Sequence, residues 1–262
     1  MKNILKKIKI NNYTYLFILL CFFCGYIKNI LIIFSICLFH ELGHIFFIKL
    51  FNYNVISIQL LPFGGYTKID KIINTSINKD ILISLGGILF QILLYLFIYI
   101  FKNNINIITY TMIIKYNLII IIFNLIPIHP LDGNNILHLL LEKYISYNLS
   151  YKINGIVSII LLIVFIFINY VYHIDNYFII SILIYKTINY YKYYKYLKNR
   201  FFLERILYDI DYKKIDNNTR NINNIRKEVL HDFKYNNKYI NEKKMIKNVY
   251  FYKIWYNYAS NK

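Results

Sequence analysis

The feature that most constrains this chain is a short polar motif inside a long apolar segment. Residues 30–51 form a predominantly apolar run of 22 residues, and positions 40–44 within it are His-Glu-Leu-Gly-His. About 20 apolar residues are enough for a helix to span the hydrocarbon core of a membrane. A carboxylate near the middle of such a helix costs roughly 2.5–3.5 kcal/mol on insertion scales, so ionisable residues there are functional candidates. The segment therefore predicts a membrane-spanning helix with a ligand at its polar motif.

The spacing of the motif indicates a metal. His40 and His44 are four residues apart, so on a helix both rings lie on one face and can direct a nitrogen at one ion, as zinc requires. Glu41 is rotated by about 100° from His40, close enough to reach a water at the metal without being a ligand. It is the predicted general base. The alternative is a chance HExxH pattern with solvated histidines, as in many soluble helices, which an apolar run disfavours.

Composition places most of the chain in a membrane. Of its 262 residues, 58% are hydrophobic and 17% charged, in several long apolar runs. These values predict an all-α polytopic membrane protein surrounded by the lipid bilayer. The net charge of +18 would also suit a nucleic-acid partner. However, the lysines flank the apolar segments, which is typical of the cytoplasmic side of membrane proteins, so no nucleic-acid partner is predicted.

The apolar runs predict about six transmembrane helices in a domain formed by residues 1–192. The predicted spans are residues 13–27, 30–51, 81–101, 107–126, 153–172 and 177–191. Residues 193–262 are polar and basic, and we predict a cytoplasmic tail with partial disorder and no recognisable domain.

A small β-hairpin at the membrane edge is predicted between the second and third spans. Residues 55–60 partly alternate apolar and polar side chains, Pro62 and residues 64–65 favour a turn, and residues 66–69 can return as a second strand. The alternative is an ordinary apolar loop. If the hairpin forms, its strand at residues 55–60 could hold an extended peptide by edge pairing.

Lysine positions predict the orientation of the chain. Lys2, Lys6, Lys7 and Lys9 lie before the first span, which places the N-terminus in the cytoplasm by the positive-inside rule. With six spans the C-terminus lies on the same side. The predicted outer turns carry two lysines and the inner segments five, namely Lys28 and Lys102 against Lys68, Lys71, Lys79, Lys143 and Lys152.

A second polar segment ends the fourth predicted span. Residues 124–133 contain two prolines and end in Asp132-Gly133. Non-helical backbone at membrane depth is tolerated only where protein or a water-filled cavity surrounds it. A catalytic zinc site commonly has three protein ligands and an open position, so Asp132 is the predicted third ligand. His129 is the alternative.

These two segments resemble the site-2 protease family of intramembrane zinc metalloproteases. The motifs are residues 40–44 and the N-x-x-P-x-x-x-x-D-G pattern of residues 124–133. The resemblance implies that His40, His44 and Asp132 bind Zn²⁺, that Glu41 activates water, and that Asn124 orients substrate or lies on the oxyanion side. It also implies a membrane-associated protein substrate.

Softer motifs resemble the sporulation branch of that family. They are residues 61–65 after the second span, Gln91 in the third, and residues 201–205 after the sixth. This branch implies processing of a sporulation sigma factor precursor, with inhibitory membrane protein partners. Gly86-Gly87 replaces a frequent Gly-Pro, a change that we expect not to affect the metal chemistry. The alternatives are another regulatory substrate such as an anti-sigma factor, a metal-binding transporter, or a scaffold that keeps zinc for structure.

Overall fold

The computed structural model of the protein describes residues 8–10, 15, 22–23, 25–61, 64–172, 177–219, 221–235 and 238–249. The chain divides into two compact units. The first comprises Met1–Lys71, Lys79–Ile126 and Leu131–Gly133, and the second comprises Ile72–Asn78, Pro127–Pro130 and Asn134–Lys262.

Long helices dominate the described residues. They are α1 (Ile27–Leu50), α2 (Ile77–Ile100), α3 (Ile107–Leu125), α4 (Asp132–Tyr144), α5 (Tyr147–Val171), α6 (Tyr177–Leu207) and the short α7 (residues 242–249). Four of them, α1, α2, α3 and α5, are long and apolar enough to cross a membrane. A helix satisfies its own backbone hydrogen bonds, which is why such segments adopt this form in lipid. The protein is therefore an integral membrane protein.

These four helices coincide with four of the predicted spans. The first predicted span, residues 13–27, falls largely outside the described residues. The sixth, residues 177–191, lies in α6, which continues to Leu207 and is not among the four apolar helices. Its many tyrosines and lysines lower its hydropathy. The count of six spans therefore stays a prediction.

A three-stranded sheet follows α1, and the predicted hairpin is confirmed. The strands are β1 (Ile8–Ile10), β2 (Asn54–Leu61) and β3 (Gly64–Asp70), in the order β1-β2-β3. β2 pairs antiparallel with β3 and parallel with β1. The prediction that residues 55–60 form a free edge is therefore wrong for residues 58–60, because β1 pairs with them on that side of β2. Among the described residues, β1 and β3 are the two edge strands of this sheet.

A small apolar cluster holds the hairpin against the helices of the first unit. Ile45 and Ile48 of α1, Val55 of β2 and Ile83 of α2 are buried together, and Ile69 of β3 packs against them. Burial of each such side chain stabilises the fold by about 1.5–3 kcal/mol relative to exposure. The cluster fixes the face of the hairpin that contacts α1.

The second unit contains ordered structure where sequence predicted a partly disordered tail. Strands β4 (Lys214–Thr219), β5 (Val229–Tyr235) and β6 (Lys238–Asn241) form a sheet in the order β4-β5-β6. Phe201 and Phe202 are buried beneath it with Tyr147 and other apolar side chains. Fully buried Arg205 pairs with Glu242. A buried guanidinium needs such a partner to offset its desolvation, and this pairing links α6 to α7.

Candidate metal centre

Three side chains of the first unit direct ligand atoms at one point. His40 Nε2 lies 3.0 Å from Asp132 Oδ2, and His44 Nε2 lies 3.2 Å from the same oxygen. The two Nε2 atoms are 3.1 Å apart. Among the described residues, this is the group of histidine, cysteine and acidic side chains arranged to hold a metal ion. The structure thus brings together the three residues that sequence selected as ligands.

Glycines at a helix crossing set the position of the two histidines. A Cβ at Gly43 would lie 2.2 Å from the carbonyl oxygen of Gly86, so α1 and α2 touch backbone to backbone. Small residues such as this glycine pair allow membrane helices to approach closely. A Cβ at Gly87 would lie 2.3 Å from His40 Cε1. In this chain the missing side chain of Gly87 makes room for the His40 ring. The expectation that the Gly86-Gly87 pair does not affect the metal chemistry stays a prediction.

A third glycine sets the position of Asp132. A Cβ at Gly133 would lie 2.1 Å from the carbonyl oxygen of Leu125, the last residue of α3. The first turn of α4 can therefore pack directly onto the end of α3. Asp132 is the first residue of α4, where the helix dipole favours a negative charge.

Hydrogen bonds on the far side of each imidazole define its tautomer. His40 Nδ1 lies 3.0 Å from Gln91 Oε1, and His44 Nδ1 lies 2.7 Å from the carbonyl oxygen of Ile83. Both partners are acceptors, so each Nδ1 carries the hydrogen and each Nε2 presents a lone pair to the centre. Such contacts orient metal-ligating histidines and raise their basicity.

The resulting donor set fits zinc. Two imidazole lone pairs and a carboxylate oxygen would repel one another at these distances without a cation between them. Asp132 Oδ2 is buried, and no described group donates a hydrogen bond to it. Tetrahedral zinc with bonds of about 2.0–2.1 Å separates its ligand atoms by about 3.3 Å, close to the separations above. Three protein ligands also leave one position open, as in catalytic sites.

Glu41 lies beside this group without belonging to it. Its side chain is buried, and Oε2 accepts a hydrogen bond of 3.1 Å from Thr67 Oγ1 on β3. The carboxylate is therefore held by the hairpin rather than by a ligand histidine. This arrangement is consistent with the sequence prediction that Glu41 is adjacent to the metal but not a ligand.

The remaining predicted site residues have different surroundings. Asn124 lies half-buried in the last turn of α3. In the second unit, His129 accepts a hydrogen bond from Thr187 through its backbone oxygen, donates one to Ser158 through its backbone nitrogen, and packs its ring near Tyr190. His129 is not part of the three-residue ligand group.

Several residues that contact the centre could not be assigned to it from the sequence. The sequence indicates Gln91 only as a motif residue of the third span, whereas in the structure its Oε1 accepts a hydrogen bond from His40. A glutamine in an apolar span indicates a buried polar contact, but it does not indicate which residue is the partner. Ile83 contributes a backbone oxygen, which no side-chain pattern can indicate. Thr67 lies in a strand whose contact with α1 depends on the three-dimensional register.

Replacing Gln91 with leucine is expected to weaken zinc binding by about 10–100-fold, because the His40 ring loses its orienting acceptor. Gln91→Glu should retain affinity, since its carboxylate can accept the same hydrogen bond. Both affinities can be measured by competition between the purified full chain and a chromophoric chelator. Equal affinity of the leucine variant and the wild type would show that Gln91 does not orient His40.

Comparisons with known proteins place this centre in context. The sequence model of Peptidase family M50 matches residues 28–104 and 101–168, which include the three candidate ligands and Glu41. Stage IV sporulation protein FB of Bacillus subtilis (strain 168) is 28% identical over 155 residues, which cover 58% of this chain and 54% of that protein. Zinc metalloprotease MJ0392 of Methanocaldococcus jannaschii is 32% identical over 128 residues, which cover 47% of this chain and 37% of that protein.

A solved structure supports the fold. The site-2 protease from Methanocaldococcus jannaschii superposes with a TM-score of 0.55 at 24% sequence identity, covering 71% of this chain and 89% of that chain. At this identity the likeness concerns the fold alone. The chain spans about half the length of one curated relative that it matches and just over a third of the other.

Proposed function

The chain belongs to Peptidase family M50, and we propose that it is an intramembrane zinc metalloprotease that hydrolyses a peptide bond of a membrane-associated protein. One observation carries the proposal. Three ligand atoms converge within 3.0–3.2 Å of one another beside a buried glutamate, and they lie on or next to helices long and apolar enough to cross a membrane.

His40, His44 and Asp132 would hold the zinc ion. When bound there, zinc would polarise the scissile carbonyl and lower the pKa of a water toward about 7. Glu41 would take a proton from the attacking water and later deliver it to the nitrogen of the departing amine. The new C–O bond forms first, and the C–N bond breaks when its nitrogen receives the proton, giving a carboxylate and an amine. Asn124 would orient the substrate backbone or face the oxyanion.

The substrate must be extended before it is cut, because a helix shields its peptide bonds with intrahelical hydrogen bonds. An edge strand can bind an extended peptide through main-chain hydrogen bonds. β3 is one of the two edge strands of the first sheet among the described residues, and it is the one whose Thr67 contacts Glu41. A peptide paired with β3 would therefore lie alongside the strand that contacts the proposed base.

The finer assignment concerns the substrate. We propose a membrane-associated sporulation sigma factor precursor, supported by the similarity to stage IV sporulation protein FB. An anti-sigma factor or another regulatory membrane protein is the alternative. Inhibitory membrane proteins are the proposed regulators. The lysine distribution supports cytoplasmic termini, on the side where a sigma factor acts.

Metal removal tests the activity directly. The purified full chain, reconstituted in lipid vesicles with a membrane-tethered sigma factor precursor, is expected to release a smaller product visible as a shift in gel mobility. A chelator should abolish the product, and added zinc should restore it. In the proposed mechanism the attacking water is activated only when zinc is bound. A parallel reaction with an anti-sigma factor discriminates the two substrates. Cleavage that persists after complete removal of metal would contradict the proposal.

A further inference from the structure

The hairpin contacts the proposed base through one defined hydrogen bond. Thr67 Oγ1 on β3 lies 3.1 Å from Glu41 Oε2 on α1, although the two residues are 26 positions apart in the sequence. An ionised carboxylate can only accept, so the hydroxyl donates. Hydrogen bonds to a charged acceptor are about twice as strong as those between neutral groups.

The contact follows from the register of the strand against the helix. Thr67 and Ile69 are half-buried, whereas Lys68 and Asp70 are exposed, so the first pair shares the face directed at α1. Ile69 packs against the cluster that contains Ile45. Two residues extend a strand by about 6.6 Å, and four residues extend a helix by about 6 Å. When Ile69 lies near Ile45, Thr67 therefore lies near Glu41.

A carboxylate in this place needs such a partner. Glu41 is 7% exposed, and a buried charged group without a hydrogen bond is strongly destabilised. Its side chain has three rotatable bonds, so an unrestrained carboxylate would sample several orientations. The bond to Thr67 uses Oε2, so among the described residues it leaves Oε1 available for proton transfer.

We propose that Thr67 is a positioning residue that fixes the orientation of the Glu41 carboxylate for catalysis. The inference rests on the proposed function, since it assigns Glu41 the role of base. It deepens that function by linking the strand proposed to bind substrate with the group proposed to activate water. Thr67 itself need not touch the reacting atoms.

The test compares substitutions that keep the strand and differ in the hydroxyl. Thr67→Val preserves the branched shape and should lower kcat about tenfold with little change in KM or zinc content, because one charge-assisted hydrogen bond is lost. Thr67→Ser retains a donor and should restore most of the activity. Thr111→Val is a matched control, since the Thr111 hydroxyl is exposed on α3 and donates to its own helix at Ile108.

A combined variant separates positioning from packing. If Thr67 acts through Glu41, Thr67→Val should add no further loss to a Glu41→Gln chain. A further loss there, or failure of Thr67→Ser to restore activity, would indicate a packing role and overturn the inference. An active wild type matched by Thr67→Val would overturn it as well. An inactive wild type would instead contradict the proposed function, and this inference with it.

Discussion

Replacing Glu41 with glutamine is expected to reduce the rate of peptide cleavage by about 10²–10⁴-fold, the usual contribution of a general base. Glutamine has nearly the same shape and can still accept the hydrogen bond from Thr67, but it cannot take a proton from water. Because the group proposed to hold the metal is His40, His44 and Asp132 and does not include Glu41, zinc should remain bound. Single-turnover cleavage of a membrane-tethered substrate, together with the metal content of the purified chain, measures both effects.

The same variant discriminates the rival functions. A metal transporter or a zinc scaffold that uses the ligand residues should tolerate Glu41→Gln, since neither needs a base. Asp209→Asn serves as a control for removing one acidic charge, because Asp209 is fully exposed and its bond is to surface Lys243. Cleavage that continues at the wild-type rate in Glu41→Gln would remove Glu41 from the mechanism and would favour a different source of the base.

Much of the first unit could be predicted from the sequence because local rules govern it. An apolar run of membrane length becomes a helix, and histidines four residues apart lie on one face of it. The broken end of α3 indicated Asp132, since a carboxylate after prolines at membrane depth needs a polar partner. These inferences depend on the spacing of residues within one segment, or on the need of a buried charge for a polar partner.

The features that could not be predicted from the sequence depend on contacts between segments that are distant in the chain. The pairing of β1 with β2 determines which strand of the hairpin is the edge, and nothing in residues 55–60 indicates that partner. Two contacts depend on how the helices and the strand are aligned, namely that of Gly87 with the His40 ring and that of Thr67 with Glu41. The sheet of β4, β5 and β6 lies in a polar, lysine-rich segment, where buried ion pairs such as Arg205 with Glu242 are not visible as an apolar pattern.

Asp132→Ala is expected to weaken zinc binding by more than about 100-fold and to abolish cleavage. Loss of an outer contact alone typically costs 10–100-fold in metal affinity, and this variant removes a proposed direct ligand. It leaves His40 and His44 with two neutral nitrogens and no negative charge, where zinc sites of the catalytic type commonly have three protein ligands. Competition with a chelator measures the affinity, and the same preparation provides the cleavage rate.

The His129→Ala variant tests whether His129, rather than Asp132, is the third ligand. Both residues lie in the segment after α3, and both are chemically able to bind zinc, but the His129 ring packs near Tyr190 and its backbone bonds to Ser158 and Thr187. Zinc affinity in His129→Ala should therefore stay within about threefold of the wild type, well short of the 10–100-fold loss of an outer-shell contact. The reverse result, with zinc retained in Asp132→Ala and lost in His129→Ala, would make His129 the third ligand. That outcome would require the segment to rearrange on metal binding, because the Asp132 carboxylate is the one that meets the two histidine nitrogens.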